Sequence, residues 1–288
     1  METWKRTVYI SLVCVFCTAF GVSQLAPILP LYFHDLGVQT PEAMSLWSGL
    51  ATGATYIIVC LAAPFWGRVA DKKGRKITLI RSSFGMALCN ILIAFQTTPE
   101  GVVLIRLVQG LVSGFYSASI TLIASESPIE RTGWALGLLA SANLAGSLIG
   151  PLLGGYIADT VGIRNDFIIV GVLMGLAGVL ATIFIHENYV PQPNPEKLSI
   201  RKLKEQIPEF NSIVALCVAS FIYAICIMSL QPVISVYIKG IVPSDTENLA
   251  FIAGAVFSAM GIAQLMSSSP LGKLVDKIGP RKVLVVSL

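Results

Sequence analysis

The chain has 288 residues, of which 55% are hydrophobic and only 12% charged, and its mean hydropathy is +0.76. Ordinary soluble domains carry about 25% charged residues, and one compact fold cannot hide this much apolar surface from water, so a soluble globular protein is excluded. The net charge of +4 comes from basic residues that flank apolar runs rather than cluster on a polar face, which excludes a nucleic-acid partner.

Apolar windows of bilayer-crossing length fall at 8–33, 44–66, 77–96, 101–124, 132–158, 167–186, 210–238 and 248–270. Eight transmembrane helices are expected. Strand alternation is absent, which sets a transmembrane barrel aside. Lys5 and Arg6 precede the first window as they would a signal peptide, but the window runs on through Pro27 and Pro30 without a small-residue cleavage pattern, so it reads as a retained span. Residues 283–288 read as the start of a ninth span. All six cysteines lie within apolar stretches, which supports neither a disulfide framework nor a zinc site.

Basic residues set the orientation. The first seven residues and the connections 67–76, 125–131, 187–209 and 271–282 carry 16 Lys and Arg, whereas the opposite connections carry only Arg164 and Lys239. The basic side is therefore expected in the cytoplasm, with the N-terminus there too, in the cell (inner or plasma) membrane. Arg81 and Arg106 fall inside spans; Arg81 is near a cytoplasmic end and reads as a snorkelling residue.

The connection 187–209 is long. It starts with Pro191, Pro193 and Pro195 and continues as a basic amphipathic stretch, as a cytoplasmic linker between two bundles would. At an offset of 205 residues, Pro27 falls on Pro232, Tyr32 on Tyr237, Gly49 on Gly254, Gly67 on Gly272, Asp71 on Asp276 and Gly74 on Gly279. Both copies of the glycine loop are cytoplasmic, so the repeat is parallel. The expected organisation is an all-α membrane protein: a first six-helix bundle at 1–186, a linker at 187–209, and the first part of a second bundle at 210–288. Two full repeats need about 410 residues, so the chain reads as truncated.

Three stretches carry more than hydrophobicity. Gly67-Arg68-Val69-Ala70-Asp71-Lys72-Lys73-Gly74-Arg75-Lys76 joins the second and third spans, with glycines for the reversal and Asp71 alone among five cations. A positive-inside tight turn explains the charges but not the recurrence at 272–282. Arg75 and Glu126, at neighbouring cytoplasmic helix ends, are a candidate pair that opens as bundles rock. In the fifth span, Gly146, Gly150 and Gly154 share one helix face, Pro151 frees a carbonyl, and Gly155 follows. Such a face serves a static dimer or a moving contact; the eighth span offers Ala255, Ala259 and Ala263 beside Gly254 and Ser258, and is the expected partner of Gly150. In the fourth span, Arg106 costs about 2.5–3.5 kcal/mol to insert, so it faces a wet cavity or a partner unless it snorkels to the interface. Gln24, Gln109, Tyr116 and Asn143 are polar candidates for the same cavity, although each also fits a helix–helix hydrogen bond.

These stretches resemble the major facilitator superfamily, in particular its drug:proton antiporter branch with twelve spans. Residues 67–76 match the G-x-L-a-D-r-x-G-r-k signature with Val69 in place of Leu, 106–110 match R-x-x-q-G, 146–155 match the antiporter motif g-x-x-x-G-P-x-x-G-G, and Gly21, Pro27 and Pro30 match the first-helix pattern. The resemblance implies two six-helix halves around a central cavity, alternating access, a small amphipathic substrate, protons as the coupling ion, the lipid bilayer as surroundings, and a monomer without cofactor or metal. It departs from the simplest scheme in one respect: all 16 acids lie in connections or near helix ends, with Asp35 and Glu126 the nearest candidates for coupling. A sugar or metabolite exporter on the same scaffold and a non-transporting truncated scaffold are the competing readings. An enzyme is not expected, since His34 and His186 sit at helix ends and no acids cluster in the spans.

Overall fold

The computed structural model describes residues 3–187, 189, 210–241 and 248–278. Ten helices make up these residues: α1 (Thr3–Ser23), α2 (Leu25–Asp35), α3 (Pro41–Lys73), α4 (Arg75–Ala94), α5 (Pro99–Val112), α6 (Phe115–Glu126), α7 (Thr132–Val161), α8 (Ile163–Phe184), α9 (Phe210–Ile241) and α10 (Leu249–Ile278). They form eight candidate membrane spans, as the hydropathy windows predict. The linker from residue 190, Gly279 of the repeated loop and the expected ninth span lie outside the described residues.

Two spans that hydropathy reads as continuous are broken. The first is split at Gln24 into α1 and α2, and the fourth at Ser113 and Gly114 into α5 and α6. At the second break Gly114 has φ +114°, a conformation that a side chain resists. Conversely, the second span runs straight through most of the glycine loop. Gly67 to Lys73 are helical, and the reversal falls on Gly74 alone, with φ +91°.

Local sequence explains several helix starts. Thr40 precedes Pro41 and Thr98 precedes Pro99; each threonine Oγ1 accepts a bond from the amide three residues on, Ala43 and Gly101, at 3.3 Å.

Within the first bundle α1 packs on α7 and α8, α4 on α8, and α3 on α5. One apolar cluster at the basic end joins Val8, Cys14, Leu79, Leu122, Leu139 and Ala181. A second cluster, at the opposite end, joins Ile28, Tyr32, Phe33, Ile93, Val102 and Phe167. Large apolar side chains such as Leu61, Phe65, Leu104 and Leu176 lie exposed, as surfaces facing hydrocarbon do. Of the second half, α9 lies against α2 and α3, and α10 against α7.

Candidate functional site

The glycine–proline stretch of α7 has two working faces. Gly146, Gly150 and Gly154 lie on α1: a Cβ on Gly146 would stand 2.6 Å from the Phe16 carbonyl oxygen, one on Gly150 2.5 Å from that of Phe20, and one on Gly154 2.6 Å from Cβ of Gln24. Ser23 Oγ donates to the carbonyls of Phe20 and Gly146, at 3.1 and 3.3 Å, across the same seam. Gly150 therefore faces the first span, not the eighth as its motif had implied. The eighth span meets the next face. Gly155 sits on the Ala250 carbonyl, Gly254 on the Pro151 carbonyl, Gly261 on Leu148, and Ser258 Oγ donates to Leu148 O at 2.6 Å. The contacting row on α10 is thus 250, 254, 258 and 261 rather than 255, 259 and 263, because the helix is turned to bring its smallest residues onto α7.

This seam is tied at its end. The Asp159 carboxylate accepts from the amides of Ala250 and Phe251, at 3.1 and 2.7 Å, filling two donors that the α10 N-terminus leaves unpaired. Tyr156 and Phe251 pack edge to face beside it.

Arg106 on α5 is 6% exposed. Its Nη1 donates to Gln109 Oε1 at 2.6 Å, while Arg106 Nε and Gln109 Nε2 have no partner among the described residues. Thr55 Oγ1 donates to the Arg106 carbonyl and fixes α3 on α5. No acid forms a salt bridge with Arg106 among the described residues. Gln109 is brought to Arg106; Gln24 is not, since it bonds elsewhere, and Asn143 and Tyr116 are half-buried on α7 and α6, with Tyr116 packed against the apolar cluster at the basic end.

Arg81 does not simply snorkel. Its guanidinium stacks 3.5 Å over the Trp66 ring and donates to the carbonyls of Leu111 and Ser113, at 3.0 and 2.9 Å. Trp66 Nε1 donates to Leu111 O as well, at 2.8 Å. These donors occupy the carbonyls that the break in the fourth span sets free. A cavity of about 360 Å³ opens beside them, lined by Trp66, Gly67, Asp71, Arg75, Arg81 and Thr121 among others.

At the glycine loop, the Glu187 carboxylate accepts from the amides of Arg75 and Lys76, at 2.7 and 2.8 Å, and covers Gly74. The Tyr189 hydroxyl donates to the Asp71 carbonyl. The Asp71 side chain itself is exposed. Glu126 ends α6.

The buried acid of the bundle is one that hydropathy passed over. Asp166, in the first turn of α8, is 0% exposed, and Gln24 Nε2 donates to its Oδ2 at 3.0 Å. Asp35 is 59% exposed and stands 3.8 Å from the His34 ring. Asp166 escaped because it sits one residue before an apolar window and so read as part of a connection; its signal was a single acid within one turn of an unbroken apolar run.

Comparison with known proteins fits this architecture. Residues 11–288 match the model of the Major Facilitator Superfamily. The chain is 37% identical over 287 residues to the multidrug resistance protein MdtG of Proteus mirabilis, covering 100% of this chain and 71% of the relative. It is 39% identical over 285 residues to that of Dickeya zeae, covering 99% and 70%. Among solved structures, a bacterial homolog of the human lysosomal transporter Spinster, inward-facing and unoccupied, superposes with a TM-score of 0.72 at 13% identity, over 98% of this chain and 64% of that one. A D-xylose–proton symporter superposes with a TM-score of 0.67 at 16% identity, over 95% and 68%.

Proposed function

Since the chain belongs to the major facilitator superfamily, we propose that it exports small amphipathic, hydrophobic compounds through the cell membrane by alternating access, in exchange for protons. The observation that carries this reading is the double seam on α7. One face is fixed to α1 inside the first bundle, and the adjacent face meets α10 of the second half backbone to backbone. Small residues let the two halves close tightly there without interlocking side chains, so the contact can form and part repeatedly. The relatives named for multidrug resistance, 37% and 39% identical, support the substrate class.

In the proposed arrangement the chain divides into a bundle at 1–186, a linker at 187–209 and a second-half portion at 210–288, with the N-terminus in the cytoplasm. The α7–α10 seam then lies on the outer side. Arg106, enclosed without an acid among the described residues, offers a fixed positive charge to a substrate or a coupling group, and an Arg75–Glu126 pair opens as the bundles rock. The protein acts as a monomer.

The test is dye efflux from proteoliposomes under an imposed pH gradient. Movement of a fluorescent amphipathic dye that accelerates with the gradient is expected; dye movement at the same rate with and without protein overturns the reading.

A further inference from the structure

We propose that the carboxyl of Asp166, paired with the amide of Gln24, is a proton-binding site inside the first bundle. This inference rests on the proton-exchange reading above and names the group that takes the proton. Asp166 is wholly enclosed, and among the described residues its one side-chain bond is the 3.0 Å contact from Gln24 Nε2 and no cation pairs with it. Two oxygens of the pair, Asp166 Oδ1 and Gln24 Oε1, are buried without a partner. Both are acceptors. Two orphaned acceptors in one enclosed site call for a hydrogen, and a proton on the carboxyl supplies it by turning one acceptor into a donor.

Gln24 suits both states of the acid. Facing a carboxylate, its N–H donates to Oδ2; turned about its amide plane, its oxygen accepts from a carboxyl O–H at the same place. The proton comes from water, forms the O–H bond, and leaves by the same route, so nothing else need be bound. An enclosed carboxylate with one neutral donor is poorly compensated, whereas the neutral pair is not.

Three other ionisable groups on the helices around the site are hydrogen-bonded elsewhere. The Tyr32 hydroxyl donates to the carbonyls of Ile93 and Gln96, Arg164 donates to Gln96 O, and Asp159 holds the amides of Ala250 and Phe251. Cys89 on α4 is buried as a free thiol. None of them bonds to Asp166. The site also lies beside the α7–α10 seam, because Gln24 sits at the break of the first span and Gly154 packs on its side chain, one residue before the glycine that meets α10.

Infrared difference spectra of the purified full chain in lipid, recorded as pH is stepped, read the carbonyl stretch of a protonated carboxyl directly. The parent is expected to show a titrating band that disappears in Asp166→Asn, shifts in Gln24→Leu, and persists in Asp35→Asn. A band unchanged in Asp166→Asn, or one removed by Asp35→Asn, overturns the proposal. Should Asp166→Asn fail to fold, Gln24→Leu decides, since an unmoved band removes the pair. In proteoliposomes Asp166→Asn is expected to lose the response of dye efflux to the pH gradient. If the parent moves no dye the efflux reading fails, while the infrared band still settles the site; if parent and Asp166→Asn respond equally, the site fails and efflux stands.

Discussion

The carboxylate of Asp159 on α7 closes the N-terminus of α10 through the amides of Ala250 and Phe251. It is a single side chain of the first half holding a helix end of the second. Hydrogen bonds to a charged group contribute about 1.5–3 kcal/mol each, so their loss shifts a two-state closure by roughly a factor of ten or more. Asp159→Ala is expected to open the seam. Disulfide cross-linking between cysteines placed at Tyr156 and Phe251, whose rings are in contact, reads this: high yield in an otherwise unchanged chain, low yield with Asp159→Ala. Equal yields would show that the glycine contacts alone hold the seam.

The two glycine faces predict different failures. Gly150→Ala drives a methyl into the Phe20 carbonyl inside the first bundle, and overpacking of that kind costs about 1–3 kcal/mol. It should lower the melting temperature of the purified protein. Gly254→Ala drives a methyl into the Pro151 carbonyl between the halves, so it should reduce the Tyr156–Phe251 cross-link while leaving the α1–α7 contact intact. Gly49→Ala, where an added Cβ would meet open space, is the control. A melting temperature as low with Gly49→Ala as with Gly150→Ala would remove the steric account.

Glu187 ties the chain beyond the sixth span to the loop after the second. Removing a side chain that caps helix amides costs about 0.5–2 kcal/mol. Glu187→Ala frees the amides of Arg75 and Lys76, and trypsin should then cut faster after the exposed Lys72 and Lys73. Unchanged cleavage would mean that Gly74 holds the turn by itself.

The spans and their register were legible because each needs about 20 apolar residues and leaves charges at its ends, and both properties are local. The breaks at Gln24 and Gly114 were not. A helix can part at Ser113 only if something else satisfies the freed carbonyls, and Arg81 and Trp66 come from other spans. No window along α5 and α6 contains that information. The motif at 146–155 announced close approach, since glycines at every fourth position do so in any helix, but which helix approaches depends on how α1 and α10 are turned. Asp166 shows the same limit from the other side: distance from a helix end predicts exposure only when nothing packs over that end, and here α2 and α4 contribute Tyr32, Phe33 and Ile93 to the cluster around Phe167.

Arg106 and Gln109 allow the most direct test of a buried charge. The guanidinium is 6% exposed and, among the described residues, its one side-chain partner is a neutral amide oxygen at 2.6 Å. Gln109→Glu replaces that oxygen with a carboxylate oxygen of nearly the same shape and so gives Arg106 a permanent counter-ion. A buried charge that gains a partner is better compensated, so the variant should insert and fold at least as well as the parent. The gain for folding is a loss for any group that must meet the positive charge during transport, because the charge is then already neutralised. Dye efflux driven by a pH gradient is therefore expected to fall sharply in Gln109→Glu, as it should in Arg106→Ala, and Arg106→Lys should restore little, since the ammonium lacks the planar fork that reaches Gln109. Efflux at the parent's rate in Gln109→Glu would show that the charge of Arg106 serves only to hold α5 in place.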